Sequence, residues 1–128
     1  MIGGIAATLY GVPRATFDMD ILIEASPKNV ELLLSALLDA GFGTAGIVSV
    51  ESILENEITI FDDRIRIDVQ TRTPGLNFAE AWDRRETMTY RGQEFQIVTK
   101  EDLIASKKAA GRDIDIEDVK QLELDEHE

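Results

Sequence analysis

The chain has 128 residues, a formal net charge of −12, 44% hydrophobic and 30% charged residues, and no cysteine. That length suits one domain with one core. Lack of cysteine excludes disulfides and thiolate metal sites, and no apolar run approaches the ~20 residues a membrane-spanning helix needs. A surface this acidic repels polyphosphate backbones, which argues against long duplex nucleic acid spread over it. The start "MIGGIAATLYG" has neither a basic leader nor a small-residue cleavage site, so a cytoplasmic location is expected.

In chain order, "GGIAATLYG" predicts a short helix ended by Gly11 and Pro13. "ATFDMDILIE" alternates and predicts a strand, with Phe17, Met19, Ile21 and Ile23 on one side and Asp18 and Asp20 on the other. Ser26 caps the next helix and Pro27 suits its first turn. Val30, Leu33, Leu34, Leu37 and Leu38 form its apolar stripe, and Gly41 supplies the left-handed end. "NEITIFDDRIRIDVQT" predicts a hairpin turning at Asp62-Asp63, with Ile58 and Ile60 alternating on its first strand. On its second strand Ile65, Ile67 and Val69 face the core, leaving Arg64, Arg66, Asp68 and Gln70 opposite. "TPGLNFAEAWDRR" breaks at Pro-Gly and becomes a short helix that carries Trp82 into the core. "ETMTYRGQEFQIVT" predicts a second hairpin at Arg91-Gly92. Thr99 caps "KEDLIASKKAAG", Asp102 sits in the acidic capping position, and "DIDIEDVKQLEL" makes the last helix. The order of helices and hairpins implies an α/β or α+β sandwich around one mixed sheet, without internal repeats or linkers. The terminal stretch "DIDIEDVKQLELDEHE" holds eight acids against one lysine, expected as a solvated helix face and a frayed end. His127, the sole histidine, lies there and is not expected to act in chemistry.

Asp18 and Asp20 are neighbours on one strand face, where each disfavours ionisation of the other. Asp68 is polar-facing as well, so three carboxylates converge if the two strands are adjacent. Oxygen ligands of this kind suit Mg²⁺, which typically takes one or two carboxylates plus substrate phosphates. The plainer reading keeps these aspartates as wet-face residues, with Asp68 in a surface ion pair with Arg66. Gly3 and Gly4 precede the acidic strand, and glycines there let backbone N–H groups approach phosphates.

"IGGIAATLYGVPRATFDMDILI" followed by "RIDVQ" resembles the nucleotidyltransferase superfamily of DNA polymerase β type: a glycine pair, Asp-x-Asp on a strand, then one further Asp on a later strand. "PRATFDMD" and "DLIASKKAAGRDIDIEDVKQL" are similar to the small bacterial branch of minimal nucleotidyltransferases and abortive-infection toxins of toxin–antitoxin pairs. The resemblance runs from Gly3 to about Leu122. It implies a nucleotidyltransferase-like mixed sheet flanked by helices, and Mg²⁺ or Mn²⁺ held by Asp18, Asp20 and Asp68. It also implies that Asp68 helps deprotonate the acceptor hydroxyl and that Gly3 and Gly4 lie against the triphosphate. Arg14 and Thr16 match the branch motif, with a loop anchor as the other role for Arg14. Lys107 is a candidate phosphate contact, or else a solvent-facing helix lysine. Arg112, Asp115 and Asp118 read as a helix-stabilising network.

The activity so implied is transfer of a nucleoside monophosphate from an NTP to a hydroxyl of RNA or protein. The alternative is a nucleotide-binding or weakly catalytic partner module of a toxin–antitoxin pair. In the superfamily a strand leads into the glycine pair, whereas here only Met1 and Ile2 precede it. The expectation is a bared sheet edge, with residues 1 and 2 poorly placed unless a partner or a second copy covers it.

Overall fold

The structure, a computed structural model, describes residues 1–12, 18–63 and 65–125. Among these are six helices, a short 3-10 turn and five strands that form two small sheets. Helix α1 (Gly3–Leu9) leads to strand β1 (Asp18–Leu22) and helix α2 (Pro27–Asp39). A 3-10 turn at Gly43–Gly46 and helix α3 (Val50–Glu55) follow, then strands β2 (Ile58–Asp62) and β3 (Arg66–Gln70). Helix α4 (Phe78–Arg84), strands β4 (Glu86–Tyr90) and β5 (Gln93–Ile97), and helices α5 (Lys100–Ala110) and α6 (Asp113–Asp125) complete the chain. The class is α+β. No helix among the described residues is long and apolar enough to cross a membrane.

Local chemistry places the helix starts. Ser26, Ser49, Asn77 and Thr99 each accept a hydrogen bond from the backbone N–H three residues on, capping α2, α3, α4 and α5. Val30, Leu34 and Leu37 bury the inner face of α2, while Leu38, at the edge of the same stripe, is about half exposed. Val30, Leu34 and Leu37 join Ile53, Phe61, Ile67 and Val69 in one apolar cluster, against which Met19 and Ile21 of β1 also pack.

The sheet order is β1-β3-β2, with β1 parallel to β3 and β2 antiparallel to it. Thr59 and Phe61 of β2 lie on the face of Ile67 and Val69, so Ile58 and Ile60 fall on the other side and stay half exposed. Their alternation is as expected, but it points away from the core. Ile65 precedes β3 in the turn and is exposed instead of facing the core.

The second hairpin does not join this sheet. β4 and β5 pair only with each other as strands and form a sheet of their own, so two small sheets replace the one expected. What connects them is the start of the chain. The Ile2 N–H donates to the Asp20 carbonyl (3.0 Å), the Val98 N–H donates to the Met1 carbonyl (3.2 Å), and the Met1 nitrogen donates to the Gln96 carbonyl (3.0 Å). Contrary to expectation the first residues are not poorly placed, but among the described residues β1 stays an outer strand whose free side carries only the single Ile2–Asp20 bridge. Ile2 is buried in the second apolar cluster with Ala6, Ala7, Ile97, Leu103, Val119 and Leu122. Tyr10 adds a tie, its hydroxyl lying 2.7 Å from the Val98 carbonyl and 2.8 Å from Glu86. Trp82 is not core: its ring is about half exposed, stacked on Phe78 and covered by the Arg85 guanidinium.

Candidate active site

β1 and β3 set the geometry. Paired residues of neighbouring strands project to the same side, and Asp20 is paired with Asp68, Asp18 with Arg66 and Leu22 with Gln70. The Asp18, Asp20 and Asp68 side chains therefore share the face turned away from α2 and α3. They line a cavity of about 400 Å³ with Gly3, Gly4, Lys107, Arg112 and Asp115. Of the residues singled out in the sequence, Gly3, Gly4, Asp18, Asp20, Asp68 and Lys107 meet in this one place. Arg14 and Thr16 lie outside the described residues.

Gly3 shows why a glycine stands here. Its φ of +75° disfavours any side chain, and a Cβ would come within 2.8 Å of the Asp20 Cβ and run into the carboxyl oxygen. The backbone thus lies directly against Asp20. Gly75, also at positive φ, lets the loop after β3 press on α5, since a Cβ there would come within 2.7 Å of the Ala105 carbonyl. That approach brings Thr73 and Pro74 to the cavity wall.

The carboxylates differ in setting. Burial raises the pKa of Asp20 above the ordinary value, and the charges of Asp68 and Asp18 push the same way. A hydrogen bond from Gln70 Nε2 (3.3 Å to Oδ1) and the charge of Lys107 oppose the rise. Asp68 is gripped by Arg66, whose Nε donates at 2.8 Å and whose second nitrogen donates at 3.3 Å. The same Nε lies 3.8 Å from Asp18. Arg66 thus bridges two of the three carboxylates, as the plainer reading of Asp68 anticipates.

Lys107 departs from one of its two expectations: it is not solvent-facing. The residue is 5% exposed, with Nζ 2.7 Å from Asp118 and 3.5 Å from Asp115. Asp115 is almost fully buried and takes two further bonds from the Arg112 side chain (2.7 and 3.2 Å) and one from the Arg112 N–H. Burial raises its pKa, but the Arg112 hydrogen bonds and the Arg112 and Lys107 charges outweigh that and leave it lowered. Arg112 and Asp115 pair at the start of α6, within the helix-stabilising network expected of Arg112, Asp115 and Asp118, and Lys107 ties Asp115 and Asp118 to α5. Two of the tail's eight acids are therefore buried counter-ions and not solvated charge.

Among the described residues, no three acidic or histidine side chains are grouped so as to hold a metal ion by themselves. The donor set nonetheless fits a hard divalent cation. Asp18 and Asp20 supply the carboxylate oxygens that Mg²⁺ takes from protein when phosphates complete its shell, and the cost of ionising the half-buried Asp20 is one that a cation offsets.

Inspection of the sequence did not select Arg66, Gln70, Thr73, Pro74 or Ser106, which also line the cavity. Strand parity already puts Arg66 and Gln70 beside Asp68. Nothing local marks Ser106, or Thr73 and Pro74 beyond the Pro-Gly break.

A glycine pair packed on an Asp-x-Asp strand, with a further aspartate directly across on the neighbouring strand, is the arrangement typical of the nucleotidyltransferase superfamily. The chain belongs to the family described as nucleotidyltransferase of unknown function (DUF6036), whose model matches residues 1–127. No curated protein matches it.

Proposed function

We propose that the protein transfers a nucleoside monophosphate from an NTP to an acceptor hydroxyl and releases pyrophosphate. The observation that carries this reading is the Asp20–Asp68 register between parallel strands, which sets three carboxylates beside the glycine pair. Asp18 and Asp20 would hold Mg²⁺ or Mn²⁺. A bound cation neutralises triphosphate charge and makes the α-phosphorus more open to attack.

Asp68 takes the acceptor's proton once Arg66 releases it. The acceptor oxygen forms a bond to the α-phosphorus, the α–β bridging bond breaks, and pyrophosphate leaves with the electron pair. Gly3 and Gly4 give backbone access to the triphosphate, and Arg14 and Thr16, which match the branch motif, are assigned to substrate binding. Lys107 is a fixed positive charge under the cavity, held by Asp118 and Asp115. Such preorganised charge lowers a barrier without reorganising during reaction.

The test is label transfer from each of four α-labelled NTPs, with Mg²⁺ or Mn²⁺, to pooled RNA and pooled protein. Transfer is expected from the wild type, none from Asp18→Asn or Asp20→Asn, and about 10²- to 10⁴-fold less from Asp68→Asn. The bidentate hold of Arg66 on Asp68 favours a second reading, a nucleotide-binding module with little turnover that serves a partner protein. That reading takes over if NTP and metal raise the melting temperature while no acceptor gains label.

A further inference from the structure

β2 is one of the two outer strands of the three-stranded sheet, and among the described residues no strand pairs with its free edge. Ile58 and Ile60 stand on the face of the carboxylates and are 49% and 51% exposed, Ile60 being paired with Asp68 itself. Two bare isoleucines on an edge strand form a pairing surface that soluble proteins usually blunt. What surrounds them is acidic: "ENEITIFDD", residues 55–63, carries four acids and no basic residue. The cations lining the cavity, Arg66, Lys107 and Arg112, are each already ion-paired with carboxylates. A polyanionic acceptor meets little here to hold it.

We propose that the acceptor is a polypeptide: an extended, basic segment with alternating apolar side chains that adds to β2 as a further strand. The inference rests on the transferase reading above for its chemistry, but not for its docking. Main-chain hydrogen bonds to the free edge give affinity. Apolar residues on one side cover Ile58 and Ile60, while lysines or arginines meet Glu55, Asp62 and Asp63 and compete with Arg72 for Glu57, 3.7 Å from its guanidinium. Strands lie about 4.8 Å apart, so a residue across from Ile60 sits two strand spacings from Asp68, on the same face. A side-chain hydroxyl there stands on the carboxylate face of the sheet, with Ile60 between it and Asp68.

The probes are two labelled peptides of equal length, each with one tyrosine and one serine. One alternates lysine with valine, the other glutamate with valine, and a single-stranded RNA oligonucleotide is the third probe. Binding is read by fluorescence anisotropy on Asp20→Asn protein without nucleotide, and so is independent of turnover. The lysine peptide is expected to bind, to weaken on raising salt from about 0.05 to about 0.5 M, and to lose at least tenfold in affinity in Ile60→Lys. Ile60→Thr, which keeps a β-branched residue, should lose less, and melting curves establish that both variants fold. No binding of the lysine peptide, equal binding of the glutamate peptide, or indifference to both Ile60 substitutions overturns the proposal, as does tighter binding of the RNA. If the lysine peptide docks at Ile60 and no NTP labels any acceptor, the docking surface stands and the transferase reading fails. Label passing only to RNA gives the reverse.

Discussion

Arg66 and Asp68 stand two positions apart on one side of β3, so a cation arriving at the carboxylates must compete with a guanidinium already there. Removing that competitor should favour the metal. Arg66→Met is expected to bind Mn²⁺ roughly two- to fivefold more tightly, a range set by the modest worth of an exposed ion pair; titration calorimetry on the nucleotide-free protein measures it. Unchanged or weaker affinity means that Arg66 does not screen the site. Gly3→Ala should cost about 1–3 kcal/mol, read by urea unfolding, because the new methyl meets Asp20 at a positive φ. The three aspartates were legible because strand periodicity fixes the side of each residue. Arg66's pairing with Asp68 stood as one of two readings, since parity puts the two side by side without choosing the rotamer that joins them, and its reach to Asp18 was not foreseen.

The α5–α6 pair depends on charges that neither helix could keep alone. Lys107→Met leaves Asp115 and Asp118 buried without the cation between them, and is expected to cost about 3–5 kcal/mol. Chemical unfolding of the purified variant checks that. Asp115 also gives the acid limb of stability a definite sign. Its pKa is lowered in the folded protein, so it contributes stability above the unfolded value of about 3.9 that disappears as pH falls through its folded value. Between about pH 5 and pH 3 the wild type should lose more stability than Asp115→Asn, whose side chain does not titrate. Equal acid limbs in melting experiments would count against this. Helix caps were readable at this scale because Ser26 and Thr99 act on the nearest turn. The face of Ile58 and Ile60 was not: β2 takes its parity from its register with β3, which pairs Phe61 with Ile67 in the core. The split into two sheets was equally hidden, and so was their join through Met1 and Ile2, which meet Gln96, Val98 and Asp20 far along the chain.

Across the whole molecule, a net charge of −12 opposes compaction and should respond to ions in two separable ways. Monovalent salt screens repulsion among exposed carboxylates everywhere, so stability should climb gradually as the Debye length shortens from about 10 Å at 0.1 M to about 3 Å at 1 M. That climb should be nearly the same in Asp18→Asn and Asp20→Asn, each of which removes one acid from a large excess. Mn²⁺ acts at one place instead. It should saturate at low concentration and, with a nonhydrolysable NTP at one hundred times its dissociation constant, add about 2.7 kcal/mol. Both substitutions should abolish that second increment. Differential scanning fluorimetry over a grid of salt and Mn²⁺ separates the two effects. Stabilisation by Mn²⁺ that survives in both variants means that the ion binds the diffuse acidic surface, and the cavity beneath Gly3 then loses its claim to the metal.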